Sequence, residues 1–134
     1  MKLTIESRLV EAMVLAARAA APLEACGLCG GQAGRVTSFH PLTNADASGE
    51  HYTMRPEEQF RAVRAMRATG EAMLAIWHSH PASPARMSDE DLRLAFTAET
   101  VYLITSLASA EGPVLRGFTV RDGRAEPVDI EERT

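Results

Sequence analysis

Residues 72–80 read AMLAIWHSH, a largely apolar run that ends in two histidines separated by one serine, and Pro81 and Pro84 follow at once. A run of that length between breakers predicts a strand buried on both faces. Such a strand needs covering layers, so the chain must supply both a sheet and helices to pack on it. Proline cannot continue a central ladder, so the strand ends at His80. A loop at the carboxyl end of a buried strand is where an open site can form. Residues i and i+2 of a strand point to the same face, so His78 and His80 present two imidazoles side by side while Ser79 points away.

The rest of the chain supplies those layers. Ser7 to Ala20 place Leu9, Val10, Met13, Val14 and Ala17 on one face, with Arg8, Glu11 and Arg18 elsewhere, a helical period ended by Pro22. EACGLCGG and VTSFHPLTN flank the glycine turn GQAGR and read as a hairpin. Residues 44–51 are small and polar, hence a loop, and YTM is a short extended piece. Pro56 suits the first turn of a second helix, whose Phe60, Ala62, Val63, Ala65 and Met66 recur at three and four until Thr69-Gly70. Ser88 opens a third helix through DEDLRLAFTAE. VYLITSL, VLRGFTV and EPVDIEE then read as three more strands between Gly, Pro and Asp-Gly breaks. The sum is one α/β domain over residues 1–134, a mixed sheet of about six strands packed with two or three helices, with no repeats or linker.

Composition narrows the partners. A chain with 46% hydrophobic and 24% charged residues can bury one ordinary core. Its net charge is −4 and its arginines are dispersed among acids, so no phosphate-binding footprint exists and no nucleic acid is expected. Glu6, Arg8, Glu11 and Arg18 interrupt the alanine-rich N-terminal run, and no apolar stretch approaches the ~20 residues of a membrane span. The expectation is a soluble cytoplasmic protein with no membrane partner; a homodimer is left open. Cys26 and Cys29 form one C-x-x-C with no second ligand pair, and Gly27, Gly30 and Gly31 oppose the helix a redox dithiol needs. Both are read as small buried strand residues.

Eleven residues after His80 comes Asp91, one turn into the third helix, a rigid mount able to bring a carboxylate back over the loop to the two rings. Two imidazoles and one carboxylate are the three-ligand set of catalytic zinc, which leaves one position for water. Such a site still needs a group to move the water's proton, and bound ligands cannot. Glu24 is the candidate, since it stands in the small, apolar segment PLEACGLCGG, where an unpaired carboxylate is costly to bury. Each element also has a plain structural reading. H-x-H arises by chance, Ser88-x-x-Asp91 resembles a capping box, and Glu24 alone is a loop acid. His40 and His51 fall outside the pattern and are read as structural or solvent-exposed.

The order and spacing change that balance. Glu24, a glycine-rich strand, and then H-x-H-x7-S-x2-D over His78, His80, Ser88 and Asp91 together resemble the signature of the JAMM (MPN+) metalloproteases. E-x-C-G-L, Asn44, Pro56 and YLITSL extend the likeness to the short bacterial branch over nearly the whole chain. Cys29 stands where an aliphatic residue is more common, and Met87 where a proline is. The resemblance implies an MPN-like (cytidine-deaminase-like) fold, one Zn2+ held by His78, His80 and Asp91, Glu24 as general acid/base, and Ser88 as a donor to the developing oxyanion. It also implies hydrolysis of the amide bond after the C-terminal Gly-Gly of a ubiquitin-like or sulfur-carrier protein. The long insertions with which larger relatives clamp ubiquitin have no counterpart in this chain. The alternatives are a deubiquitinase-like isopeptidase on protein conjugates and a non-catalytic MPN scaffold.

Overall fold

The computed structural model describes residues 1–95 and 99–134. In chain order the elements are β1 (Lys2–Glu6), α1 (Ser7–Ala20), β2 (Cys26–Gln32), β3 (Arg35–Leu42), α2 (Pro56–Ala68), β4 (Ala72–His80), α3 (Asp89–Arg93), β5 (Val101–Ser106), β6 (Val114–Arg121) and β7 (Arg124–Arg133). The strands form one mixed sheet in the order β1-β3-β2-β4-β5-β6-β7, which closes on itself where β1 runs parallel to β7.

The expected six strands become seven because Lys2–Glu6 is a strand. Its apolar alternation is only two residues deep, Leu3 and Ile5, too brief to stand out in sequence, and both are buried against the core. β1 pairs parallel with β3 on one side and β7 on the other, and those partners are distant in the chain. The hairpin of β2 and β3 forms as expected. Ala33 and Gly34 both take positive φ at its turn, the two-residue geometry that matches strand twist.

β4 lies between β2, antiparallel, and β5, parallel. Its odd and even residues face different cores. Ala75 and Trp77 join Leu9, Met13 and Ala17 of α1 beneath one face. On the other face, Ile76 packs against Cys26, Leu28, Ala62 and Met66 under α2, and against Met87, Tyr102 and Ile104 beside α3. Fully burying a side chain such as Met66 contributes about 1.5–3 kcal/mol. The indole N–H of Trp77 donates to Thr105 Oγ1 at 2.9 Å, so its polar edge is satisfied inside the core.

Burial on both faces of β4 holds only for its second half. Ala72 and Met73 are exposed, because pairing with β5 begins at Ala75 and the residues before it overhang that neighbour. The third helix is also shorter than expected. It ends at Arg93 with Leu94 as its C-cap, and residues 96–98 of the expected span lie outside the described residues. Cys26 and Cys29 are free and buried on opposite faces of β2, as read from sequence, and burial pushes both thiols up to about 12.

Candidate metal centre

β4 delivers His78 and His80 to its carboxyl end with their Nε2 atoms 3.0 Å apart. Asp91 brings Oδ2 to 3.2 Å from Nε2 of His78 and 3.1 Å from Nε2 of His80. All three residues are buried. The carboxylate reaches them because the first turn of α3 is fixed by a capping box. The Asp91 N–H donates to Ser88 Oγ at 3.0 Å, and the Ser88 N–H donates to Asp91 Oδ2 at 3.0 Å. One carboxylate oxygen thus caps the helix and faces both imidazoles, so the capping box leaves Asp91 able to take the ligand role expected of it.

These donors fit a metal ion. Ligand bonds of about 2.0–2.2 Å in a tetrahedral site place ligand atoms roughly 3.3 Å apart, close to the spacing found. Nδ1 of His80 donates to the Pro84 carbonyl at 2.8 Å, so Nε2 keeps its lone pair for a metal. Two buried polar atoms have no partner among the described residues, His78 Nδ1 and Glu24 Oε1, and both belong to the expected site. His78, His80 and Asp91 are the described group that could hold an ion.

Glu24 is buried, and its backbone is pinned from three directions. Its N–H donates to the Ser48 carbonyl at 2.7 Å, and its carbonyl accepts from Asn44 Nδ2 at 3.1 Å. The next N–H, of Ala25, donates to Ser79 Oγ at 2.8 Å, while the Ser79 N–H returns to the Ala25 carbonyl at 3.0 Å. Ser79 thus points away from the imidazoles, as the strand period predicts, and ties down the residue beside Glu24.

Electrostatics separate the two acids. Burial raises the Glu24 carboxyl from 4.5 to about 8, with His80 pulling it down and Asp91 pushing it up. Burial also opposes charge on Asp91, yet hydrogen bonds with His78, His80 and Ser88 hold its carboxyl well below the usual range. Burial pushes the imidazole of His78 down. At His80 burial acts the same way, but the partners Asp91 and Pro84 outweigh it and leave the ring above its ordinary value. In the metal-free protein Asp91 is the standing charge and Glu24 holds a proton.

Two cavities open beside the centre. One, of about 470 Å³, runs from His78 and Asp91 between Tyr52, Met54, Ile76 and Tyr102. The other, of about 460 Å³, is walled by His80, Ser83, Arg86, Ser88 and Asp89. His51 and Tyr52, from the segment between β3 and α2, line the first, and Ser83, Pro84, Arg86 and Met87, after β4, line the second. Sequence reasoning did not find Tyr52, whose ring stacks on His78 at 4.8 Å, or the anchoring role of Ser79. Nothing local marks Tyr52, whereas Ile76 could have been found as the residue two before His78 on the same face. His40 bonds Ser38 away from the centre. His51 bonds Asp46 at the rim of the first cavity.

A closed mixed sheet thus presents H-x-H at a strand end, with a helix-borne aspartate over it. The family model described as prokaryotic homologs of the JAB domain matches residues 6–119. A CysO-cysteine peptidase of Mycobacterium tuberculosis is 36% identical over 135 residues, covering 98% of this chain and 92% of that protein. A desampylase of Haloferax volcanii is 35% identical over 88 residues, 63% of each chain. The solution structure of a Desulfitobacterium hafniense protein superposes with a TM-score of 0.90 at 44% identity, covering 99% of this chain and 93% of that one. The chain belongs to the bacterial JAMM/MPN family and is a hydrolase. That sets aside the scaffold alternative. Among the described residues no helix is long and apolar enough to cross a membrane.

Proposed function

We propose that this chain is a zinc peptidase that cuts the amide bond after the C-terminal Gly-Gly of a ubiquitin-like or sulfur-carrier protein. The observation that carries this reading is the convergence of His78, His80 and Asp91 beside a buried carboxyl, Glu24, with an unpartnered oxygen. The mycobacterial relative, named a CysO-cysteine peptidase, supports peptidase action on a conjugate that ends in a single amino acid.

Held by His78, His80 and Asp91, zinc supplies a Lewis acid and a lowered pKa for water. Beside a cation held by the three ligands the Glu24 carboxyl is drawn back to its ionised form, which takes the proton of the attacking water on its free oxygen and hands it to the leaving nitrogen. The pinned backbone on either side of Glu24 keeps that oxygen in place through both transfers. The Ser88 hydroxyl uses a lone pair to accept the Asp91 N–H, so its own proton remains free for the carbonyl oxygen as charge builds there. A Gly-Gly tail has no β-carbon to obstruct a narrow approach and can lie extended against a sheet edge. With no clamp insertions, most affinity comes from the folded body of the carrier resting near the loops at 44–52 and 81–87.

A second reading, an isopeptidase acting on protein conjugates, draws on the name of the desampylase. One experiment addresses both. A ubiquitin-fold protein extended past its Gly-Gly by one amino acid, and the same protein joined to a lysine side chain, are incubated with zinc-loaded enzyme and the products weighed. The expected result is cleavage after the second glycine, abolished when that glycine is alanine. The Glu24→Gln variant should keep about one zinc and lose on the order of 10²-fold or more in rate. Equal cutting of unrelated unfolded peptides would mark a nonspecific peptidase.

A further inference from the structure

The two cavities at the centre differ in chemistry. The larger is walled mainly by apolar side chains and carries no lysine or arginine. The second is polar, and Arg86 is the one lysine or arginine among its described lining residues, set in the same wall as His80 and Ser88. Asp89 lines the same cavity, and Glu90 and Asp91 follow it in sequence. Even so, Arg86 forms no ion pair with any of them among the described residues.

The backbone of Arg86 is fixed although its side chain is exposed. Its N–H donates to the Pro84 carbonyl at 2.9 Å, the same oxygen that accepts His80 Nδ1 at 2.8 Å. The hydroxyl of Ser106 ties Ser83 at 2.6 Å, and Met87 on the other flank is buried with Tyr102 and Ile104. An arginine held this way beside the centre, with its fork unpaired, suits a bidentate carboxylate brought in by a ligand.

We infer that Arg86 is a specificity residue that reads the free α-carboxylate of a single amino acid leaving from the carrier's C-terminus. The inference rests on the proposed peptidase reading. A carrier tail has no charge at its scissile carbonyl, but an amino acid attached through its amine carries a carboxylate on the very next carbon. The polar cavity therefore takes the leaving group and the apolar one the residues that precede the glycines. A protein joined through a lysine side chain offers no carboxylate there and gains nothing from Arg86.

The test uses two substrates, a ubiquitin-fold carrier with one alanine added beyond Gly-Gly, as the free acid and as the C-terminal carboxamide. Binding is measured by calorimetry with the zinc-loaded Glu24→Gln variant, and turnover with the zinc-loaded native sequence. The acid should bind roughly tenfold more tightly than the amide, with a matching preference in kcat/KM carried by KM. Adding Arg86→Gln should bring the acid down to the amide's level, and Arg86→Lys should keep part of the preference. Equal binding of acid and amide, or a preference that survives Arg86→Gln, overturns the inference while leaving the peptidase reading intact. If neither conjugate is bound or cut, the peptidase reading fails and this inference falls with it.

Discussion

Ser79→Ala removes a hydroxyl that neither touches the expected metal nor faces it, and the structure predicts a loss in both stability and rate. Ser79 is fully buried, and its Oγ is the acceptor for the Ala25 N–H at 2.8 Å. Alanine leaves that N–H without a partner where water cannot reach, at a cost of about 1–3 kcal/mol. Unfolding entropy of about 2.1 cal/mol/K per residue makes 1 kcal/mol worth roughly 3–4 °C in a chain of 134 residues, so the melting temperature should fall by about 4–10 °C. Zinc content should stay near one per chain, because the rings of His78 and His80 are untouched. Turnover should fall several-fold through kcat, since the freed segment carries Glu24. Thermal unfolding of metal-free protein, metal analysis and steady-state kinetics separate these effects. A melting temperature within a degree of the parent would refute the anchoring role, and loss of zinc would mean that Ser79 acts through the ligands instead.

Four further outcomes are expected. His78→Ala and Asp91→Ala should both lose bound zinc on metal analysis, and Asp91→Ala should cost a further 0.5–2 kcal/mol or so because it also removes half of the helix cap. Glu24 binds its proton more tightly folded, at about 8, than unfolded, at 4.5, so its share of metal-free stability is present below 4.5 and lost as the pH rises toward 8. Denaturant titrations across that window should show a falling slope that Glu24→Gln removes. Asp91 works in the opposite sense, its depressed carboxyl giving stability present above 3.8 that drains away as the pH drops further, and Asp91→Asn should flatten that acid limb. A β-carbon at Gly49 would sit 2.7 Å from the Pro22 carbonyl oxygen, so Gly49→Ala should displace the loop that bonds Glu24 through Ser48 and lower kcat with zinc retained.

What could be read from sequence was what local spacing encodes. The i, i+2 rule put His78 and His80 on one face, the Ser-x-x-Asp spacing put Asp91 on a first helical turn, and both hold in the fold. Apolar periodicity found α1 and α2, and the glycine turn found the hairpin. The rest depends on pairing between distant segments. Lys2–Glu6 is a strand because β3 and β7 are there to receive it. Half-exposure of β4 follows from where β5 begins, which no pattern within AMLAIWHSH records.

The supports of the centre belong to the same long-range category. Asn44 enters the sequence reading only as one of the positions that extend the family likeness, with no role given to its side chain. In the fold its side-chain nitrogen reaches the carbonyls of Glu24 and His51, while its oxygen accepts the N–H of Asp46 and Thr53. One amide therefore organises the 44–53 loop and fastens it to Glu24 at once. Pro84 does the equivalent on the opposite rim, its single carbonyl serving both the imidazole of His80 and the backbone of Arg86. Asp91 Oδ2 repeats the economy by capping α3 and facing both imidazoles. Each shared acceptor ties a loop to the centre, so movement of either loop would be felt at the imidazoles or at Glu24. A carrier seated on those rims would therefore act on the geometry of the reacting groups as well as on affinity.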